Sequence, residues 1–396
     1  MARSAGNRYV VFGAGGVATA AACDLGLWGE AAEIMLADAE LGRAKEAAAR
    51  ATRMLKAKKL KVAPLAVDLE KKADLAKALK GAQGVLSTLP PAFNLGLAQA
   101  AVQAKAHYAD TGAPLAVARA IQKLAPAARK AGVSLLSDCG LSPGLSSSLA
   151  MLGMTTLDFS REVKVYAGAI PQRPIGPLDY ATIYPVADLL ELYLRPATIL
   201  RRGRVEELEA LTEREDLDFA GVGTLEACLT GGSSSSCPQS FQGRLVVFEE
   251  KTVRYPGHFE KVAAMRDMGF MNEEPVTING SRVAPRELFL TLAARAWSQV
   301  EEKDLVVLRV LVRGKKHGRP TEAGYDLVDR FDPETGFSAV ERTTAFPAAA
   351  ALALQARGKV KPGAEPVELC LPHRDFIAEV KRRGLRIAEA IRASAV

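Results

Sequence analysis

Short apolar runs and longer alanine-rich stretches take turns along the first third of the chain, and this alternation sets the expectation for its fold. Runs of strand length, rich in apolar, β-branched or aromatic residues, occur at Tyr9–Phe12, Glu33–Ala37, Lys61–Val67, Gly84–Leu89, His107–Ala109 and Val133–Ser137, with Ala/Leu/Lys-rich segments of helical spacing between them. Strands separated by helices predict a parallel sheet. Strands with little polar alternation predict one covered on both faces, because right-handed crossovers place the helices there. The expected class is therefore α/β with a doubly wound parallel sheet.

After Pro143-Gly144 the rhythm changes. Glu162–Ile170 alternates as a strand, Val186–Leu194 and Val205–Leu211 read as helices, and Leu245–Phe248, Thr252–Tyr255 and Leu305–Val312 read as further strands. A hairpin is expected over Tyr325–Arg342 around Asp332-Pro333-Glu334-Thr335-Gly336, whose composition suits a turn. Consecutive strands without intervening helices predict a mostly antiparallel sheet and hence a second, α+β domain. Phe346–Gln355 is an Ala/Leu helix too apolar for solvent and too short for a membrane, so it is expected to return to the first domain and make the second an insertion. The expected organisation is residues 1–145 for the parallel-sheet domain, 146–342 for the inserted α+β domain and 343–396 for returning helices. Gly231–Pro238 (GGSSSSCP) reads either as a flexible linker or as a loop hugging a phosphate or substrate.

Composition narrows the class of partner. With 396 residues, 48% hydrophobic and 24% charged, the chain has ordinary globular composition and room for two domains. A net charge of +7 could suggest nucleic acid, but the surplus is scattered and its densest stretch, Arg53–Lys61, reads as a solvated face. No nucleic-acid partner is expected, and the mild positive field suits an anionic cofactor and substrate. Cys23, Cys139, Cys228, Cys237 and Cys370 form no C-x-x-C pair and no metal-ligand spacing with the four histidines. They read as free thiols, with no metal site and a reducing, cytoplasmic location. No basic segment followed by an apolar run suggests a signal peptide, and the longest uncharged stretch, Gly81–Ala104, contains Pro90, Pro91 and Asn94, so no membrane partner is expected.

The first strand runs into the turn that carries the most chemistry. In RYVVFGAGGVA, Gly13, Gly15 and Ala18 fill the small-residue slots of the G-x-G-x-x-G/A turn: a tight turn, an approach to pyrophosphate, and helix–strand packing. Gly13, Gly15, Gly16 and Val17 are therefore expected to hold a dinucleotide at a helix N-terminus in a Rossmann-type domain. Asp38, ending the second strand, can accept hydrogen bonds from a ribose 2′-OH and would repel a 2′-phosphate, which points to NAD. Asp68, after the third strand, could approach the adenine or cap the following helix. Thr88, Leu89 and Pro90 end the fourth strand, where the prolines stiffen the loop under the nicotinamide half.

Ligands in such sheets sit beyond the carboxyl ends of the strands, which brings Asp110 and Asp138 forward. Either could hold a cationic amine, or act as base if burial raised its pKa; both could equally cap loops. In TVRYPGH, Arg254 offers a fork for a carboxylate and His258 a group for proton transfer, the plainer alternatives being a surface arginine and a core histidine. Tyr180 belongs to a further polar cluster, and Thr343, in ERTTAFP, stands where the domains should meet or caps the returning helix. No general base is tied to Cys139, which reads as a packing residue.

Several longer segments resemble the saccharopine dehydrogenase superfamily, and within it the lysine 6-dehydrogenase branch. They are VVFGAGGVA (Val10–Ala18), VLSTLPPAFN (Val85–Asn94), HYADTG (His107–Gly112), DCGLSPGLS (Asp138–Ser146), YAGAIPQRPIGPLDY (Tyr166–Tyr180), TVRYPGH (Thr252–His258) and YDLVDRFDPETGFSAVERTTAFPAA (Tyr325–Ala349). The resemblance implies a Rossmann domain completed by C-terminal helices, an inserted domain that binds substrate and forms a homodimer, and a cleft between them. It also implies NAD-dependent oxidation of an amine carbon on lysine or a lysine adduct. Saccharopine-handling members tend to carry acidic or Asp-His residues where this chain has Ser142, Ser146 and Ser147, which tilts the expectation to the side-chain amine of free L-lysine. Asp110 would then orient or deprotonate the amine, with Asp138 as second choice. Arg254 would clamp the α-carboxylate, and His258 and Tyr180 would line the cleft as proton carriers. The alternatives are a saccharopine dehydrogenase and a catalytically silent dinucleotide-binding protein.

Overall fold

The computed structural model describes residues 6–181, 186–231, 236–298 and 303–393. Its first sheet comprises β1 (Asn7–Phe12), β2 (Ala31–Asp38), β3 (Val62–Ala66), β4 (Gly84–Ser87), β5 (His107–Asp110) and β6 (Ser134–Leu136), and a last short strand is added from the far end of the chain. Every pairing in this sheet is parallel. Tyr9, Val10, Val11, Leu36, Val85, Leu86 and Tyr108 are buried, as strands covered on both faces must be. Helix Gly16–Trp28 follows β1 and packs against helix Ala339–Ala356, so the returning helix does cover this sheet.

The second sheet contains β7 (Phe159–Pro171), β8 (Ala197–Arg201), β9 (Arg204–Leu208), β10 (Thr212–Phe219), β11 (Gly223–Leu229) and β12 (Val247–Arg254). A separate two-stranded ribbon, β13 (Val276–Ile278) with β14 (Ser281–Val283), precedes β15 (Asp304–Lys316) and β16 (Arg319–Arg330). Then β17 (Gly363–Ala364) joins the first sheet beside β6, and β18 (Ile387–Ala393) joins the second beside β16. The strand orders are β17-β6-β5-β4-β1-β2-β3 and β10-β11-β12-β7-β15-β16-β18, with β8 and β9 paired off β12. The second sheet is antiparallel apart from β12 against β7.

Four local expectations are corrected. Val205–Leu211, read as a helix, lies largely in strand β9, turned back on β8 by Arg202 and Gly203, both at positive φ (52° and 75°), the requirement of a tight hairpin turn. Leu245–Phe248 and Thr252–Tyr255 are parts of one strand, β12. The hairpin placed around Asp332–Gly336 belongs earlier, at His317-Gly318 between β15 and β16. Asp332–Gly336 is instead a turn into helix Ala339–Ala356, which begins before Phe346 and contains Arg342 and Thr343. Ser338 accepts from the Glu341 amide while Glu341 accepts from the Ser338 amide, and the carboxylate of Asp304 takes the amides of Ala339 and Val340 at 2.8 and 2.9 Å. Three side-chain groups thus satisfy the first turn, which starts the helix early. The Gly231–Pro238 segment falls partly on residues 232–235, which lie outside the described residues. Among the described residues no helix is long and apolar enough to cross a membrane.

A buried ion pair holds the chain's return. Arg383, just past helix His373–Arg382, sets its fully buried guanidinium 2.9 Å from Asp24, a buried residue of the helix that follows the glycine turn, and it also pairs with Glu379. Arg383→Ala strands the Asp24 carboxylate and is expected to cost about 3–5 kcal/mol of folding stability. Arg383→Met combined with Asp24→Asn removes both charges and should recover much of that loss. Urea unfolding of the wild type and the two variants checks this, and a double variant no more stable than Arg383→Ala would contradict it.

Candidate active site

The carboxyl ends of β1, β2, β4, β5 and β6 form one rim. Gly13 closes the turn after β1 with φ at +106°, and a Cβ there would meet Thr88 Oγ1 at 2.4 Å, so only glycine fits. Thr88 is held in place by its hydroxyl, which donates to Phe12 O at 2.8 Å. Gly15 is exposed, has open space where a Cβ would sit, and precedes a helix with no side-chain cap and no acid in its first turn. That open, uncapped N-terminus fits a pyrophosphate. Gly16 also serves packing, since a Cβ there would fall 1.4 Å from Glu341 Oε1; its lack of a side chain lets the returning helix approach. Val17 is half-buried beside it.

Asp38 ends β2 next to this turn, half-buried, with Oδ1 accepting from the Glu40 amide at 3.0 Å. Asp68 does not cap the following helix, whose N-cap is Lys71 without a side-chain cap; it pairs with Lys71 and accepts from the Glu70 amide, which together hold its carboxyl below the usual range. Leu89 and the exposed Pro90 lead from β4 into a short turn of helix at Pro91–Phe93.

Asp110 and Asp138 are both buried and joined through the backbone. Asp110 Oδ1 accepts the amides of Asp138 (2.8 Å) and Gly112 (3.1 Å), and Oδ2 accepts the Tyr108 hydroxyl (3.0 Å). Asp138 stands at φ +65° and accepts the Ala113 amide at 2.9 Å. Burial pushes Asp110 up to about 6, and it pushes Asp138 well above the usual carboxylate range, with the Asp110 charge adding to the effect. Asp110 therefore ties the turn after β5 to the loop after β6, while Cys139 is a buried thiol raised by desolvation, as a packing residue should be.

Beyond this rim a cavity of about 250 Å³ opens between the two sheets. The first sheet contributes Thr111, Leu141 and Ser142, while the second supplies Ala167, Gly168 and Ala169 from β7 and Glu250, Thr252 and Arg254 from β12. Thr343 and Thr344 come from the returning helix. Pro347, one turn on, has no N–H to offer the Thr343 carbonyl. Of the residues proposed from sequence, Arg254 and Thr343 meet in this cavity. Ser142, singled out by the family resemblance, lines it too. Glu250 and Thr252 were missed; their signal was the alternation Glu250-x-Thr252-x-Arg254 along a strand whose charged middle hid its continuity.

Tyr180 and His258 sit behind Arg254 and do not line the cavity. Tyr180 is buried, stacks under the Arg254 guanidinium at 5.1 Å and meets Trp297 edge-on. His258 Nδ1 lies 2.7 Å from Leu178 O, a carbonyl that can only accept, so the ring proton is on Nδ1 and Nε2 accepts from the Tyr193 hydroxyl at 2.8 Å. Burial, aided by Arg254, pushes its pKa down to about 3. The imidazole is thus a neutral joint in the aromatic cluster behind Arg254, which is the core-histidine alternative.

A doubly wound parallel sheet with a glycine-turn dinucleotide cradle, facing a mixed sheet across a cavity, defines a nicotinamide-dinucleotide oxidoreductase fold. Residues 9–136 match the saccharopine dehydrogenase NADP binding domain and residues 140–385 the saccharopine dehydrogenase C-terminal domain. The chain belongs to the saccharopine dehydrogenase family. Saccharopine dehydrogenase (L-Glu forming) from Saccharomyces cerevisiae superposes with a TM-score of 0.76 over 98% of this chain and 100% of that one, at 18% identity. The mitochondrial alpha-aminoadipic semialdehyde synthase of Bos taurus is 27% identical over 158 residues, which is 37% of this chain and 16% of that relative's length.

The raised carboxyls have a consequence for pH. A carboxyl whose folded pKa exceeds its unfolded value contributes most to stability below the unfolded pKa, and that contribution is lost as pH rises through the folded one. Asp110 and Asp138 should therefore make the protein less stable as pH climbs from the acid range, where the free carboxyl titrates near 3.8, through about 6. Asp138→Asn tolerates the left-handed backbone, keeps an acceptor for Ala113 and removes the repulsion. Its loss of unfolding free energy between about pH 5 and about pH 8 should be smaller than the wild type's; an equal loss would contradict the assignment.

Proposed function

We propose that the protein catalyses NAD-dependent oxidative deamination of the side-chain amine of L-lysine, giving the semialdehyde. The observation that carries this reading is the placing of Arg254, a buried cation, in the same cavity as the strand ends of the dinucleotide-binding sheet. Gly13, Gly15, Gly16 and Val17 would hold the dinucleotide phosphates, Asp38 the adenosine ribose, and Thr88, Leu89 and Pro90 the nicotinamide side. The bound nicotinamide supplies the hydride acceptor. Arg254 takes the substrate carboxylate, and the Tyr180 ring and Val253 carbonyl keep its guanidinium in place. Asp138, poised by burial, accepts the proton released as the amine becomes an imine; water then adds and ammonia leaves. Asp110 acts through the loop it ties, and Thr343 borders the carboxylate end.

A second reading, action on a saccharopine-like lysine adduct, draws support from the family itself. Such an adduct carries several carboxylates, whereas the cationic residues lining the cavity among those described are Arg254 and Lys251. The Lys251 ammonium is bonded to Glu215 and to the Glu213 carbonyl. This favours the monocarboxylate.

Reduced-nicotinamide absorbance should rise with L-lysine and NAD, and more slowly with NADP. Arg254→Ala should lower kcat/KM about 30-fold or more, the equivalent of losing roughly 2 kcal/mol from a buried charge contact, while NAD affinity is unchanged. A response to saccharopine but not to lysine would hand the assignment to the second reading.

A further inference from the structure

Strand β12 separates its charges by face. Glu249 and Lys251 are paired on one side, Glu249 with Arg201 and Lys164, Lys251 with Glu215, although Lys251 also borders the cavity. Glu250, Thr252 and Arg254 form the alternate row and line the cavity. This row begins with an acid and ends with a base. At about 3.3 Å of rise per residue, the two Cα atoms stand roughly 13 Å apart, a span that an extended six-carbon amino acid can bridge with a hydrogen bond at each end. The small side chains of Ala167 and Ala169 on neighbouring β7 leave room beside it for a methylene chain, while Gly168 lets the Val253 backbone approach.

The two ends of the row have different surroundings. Ser142, on the loop that follows β6, lies 2.8 Å from Glu250 Oε1 and 2.8 Å from Ser146 Oγ. A hydroxyl has one proton, so Ser142 donates to the carboxylate and accepts from Ser146. The Ser146 proton therefore points to Ser142, and the Ser142 proton to the Glu250 carboxylate. Glu250 thus adjoins the rim of the parallel sheet, whereas Arg254 lies further along, against Tyr180.

We propose that Glu250 determines substrate specificity: its carboxylate receives a substrate ammonium, and together with Arg254 it selects an unbranched ω-amino acid and turns the amine-bearing carbon toward the parallel sheet. The inference rests on the reading of this cavity as the substrate site. It deepens that reading by naming the residue that distinguishes an amine from a methyl group and the end of the substrate that is presented.

Calorimetric titration of the NAD-loaded protein with two ligand pairs tests it: L-lysine against L-norleucine, and 6-aminohexanoate against hexanoate. The wild type should bind each amine at least about tenfold more tightly than its methyl counterpart, one tenfold step corresponding to about 1.4 kcal/mol. In Glu250→Gln both ratios should fall to about one while norleucine and hexanoate affinities stay as they were, a selective loss that a structural role would not produce. Glu250→Ala should repeat this, and Ser142→Ala, which keeps the charge, should retain most of the preference. A wild type without preference for the amines, or a Glu250→Gln protein that keeps it, overturns the proposal. If lysine is oxidised yet Glu250→Gln retains the preference, the specificity assignment falls and the reaction stands. If the preference is present and lost in Glu250→Gln but no reduced nicotinamide forms, the reaction falls and the assignment stands.

Discussion

One buried carboxylate organises the side of the molecule where the two sheets meet. Asp110, at the end of β5, collects the amides of Gly112 and Asp138 and the hydroxyl of Tyr108. An unpaired backbone amide in the interior costs free energy comparable to a lost hydrogen bond, and here two of them converge on one acceptor. The loop after β6 is thereby fixed near its start, in a left-handed conformation at Asp138, and it carries Ser142 toward β12. The cavity wall formed by the first sheet therefore depends on a group that does not line the cavity.

The opposite wall depends on a helix start. Asp304, at the head of β15, accepts the first two amides of helix Ala339–Ala356, and the reciprocal contacts of Ser338 and Glu341 complete the turn. One carboxylate from the second sheet thus sets where the returning helix begins, and so where Thr343 and Thr344 stand. Gly16 admits the same helix to the glycine turn. Cofactor cradle and cavity are consequently linked by a single rigid element, which suits chemistry in which a donor carbon must be held against an acceptor.

The parallel sheet was legible in the sequence because its strands are buried on both faces and leave unbroken apolar runs, and because the glycine turn is local: Gly13, Gly15 and Asp38 are recognisable from their neighbours. The second sheet was less legible. Its hairpin turns use Arg202 and His317 at positive φ, residues with no turn signature of their own, and the charges of Glu249, Glu250 and Lys251 split β12 in two. The cavity was legible only in Arg254, Thr343 and, through the family resemblance, Ser142, since its remaining lining comes from segments far apart in sequence. His258 and Tyr180 show the limit of reading polar residues near a turn as chemistry: a histidine whose two nitrogens are both satisfied inside an aromatic cluster has the same sequence signature as one in a cleft.

The segment beyond helix Ala339–Ala356 contributes β17 to the parallel sheet and β18 to the mixed one, with the Arg383–Asp24 pair between them. During synthesis β6 and β16 therefore wait for partners that lie further along the chain, at Gly363–Ala364 and Ile387–Ala393. β6 ends at Leu136 and its partner begins at Gly363, whereas β16 ends at Arg330 and its partner begins at Ile387, so the parallel sheet is left with an unpaired strand for much the longer stretch of synthesis.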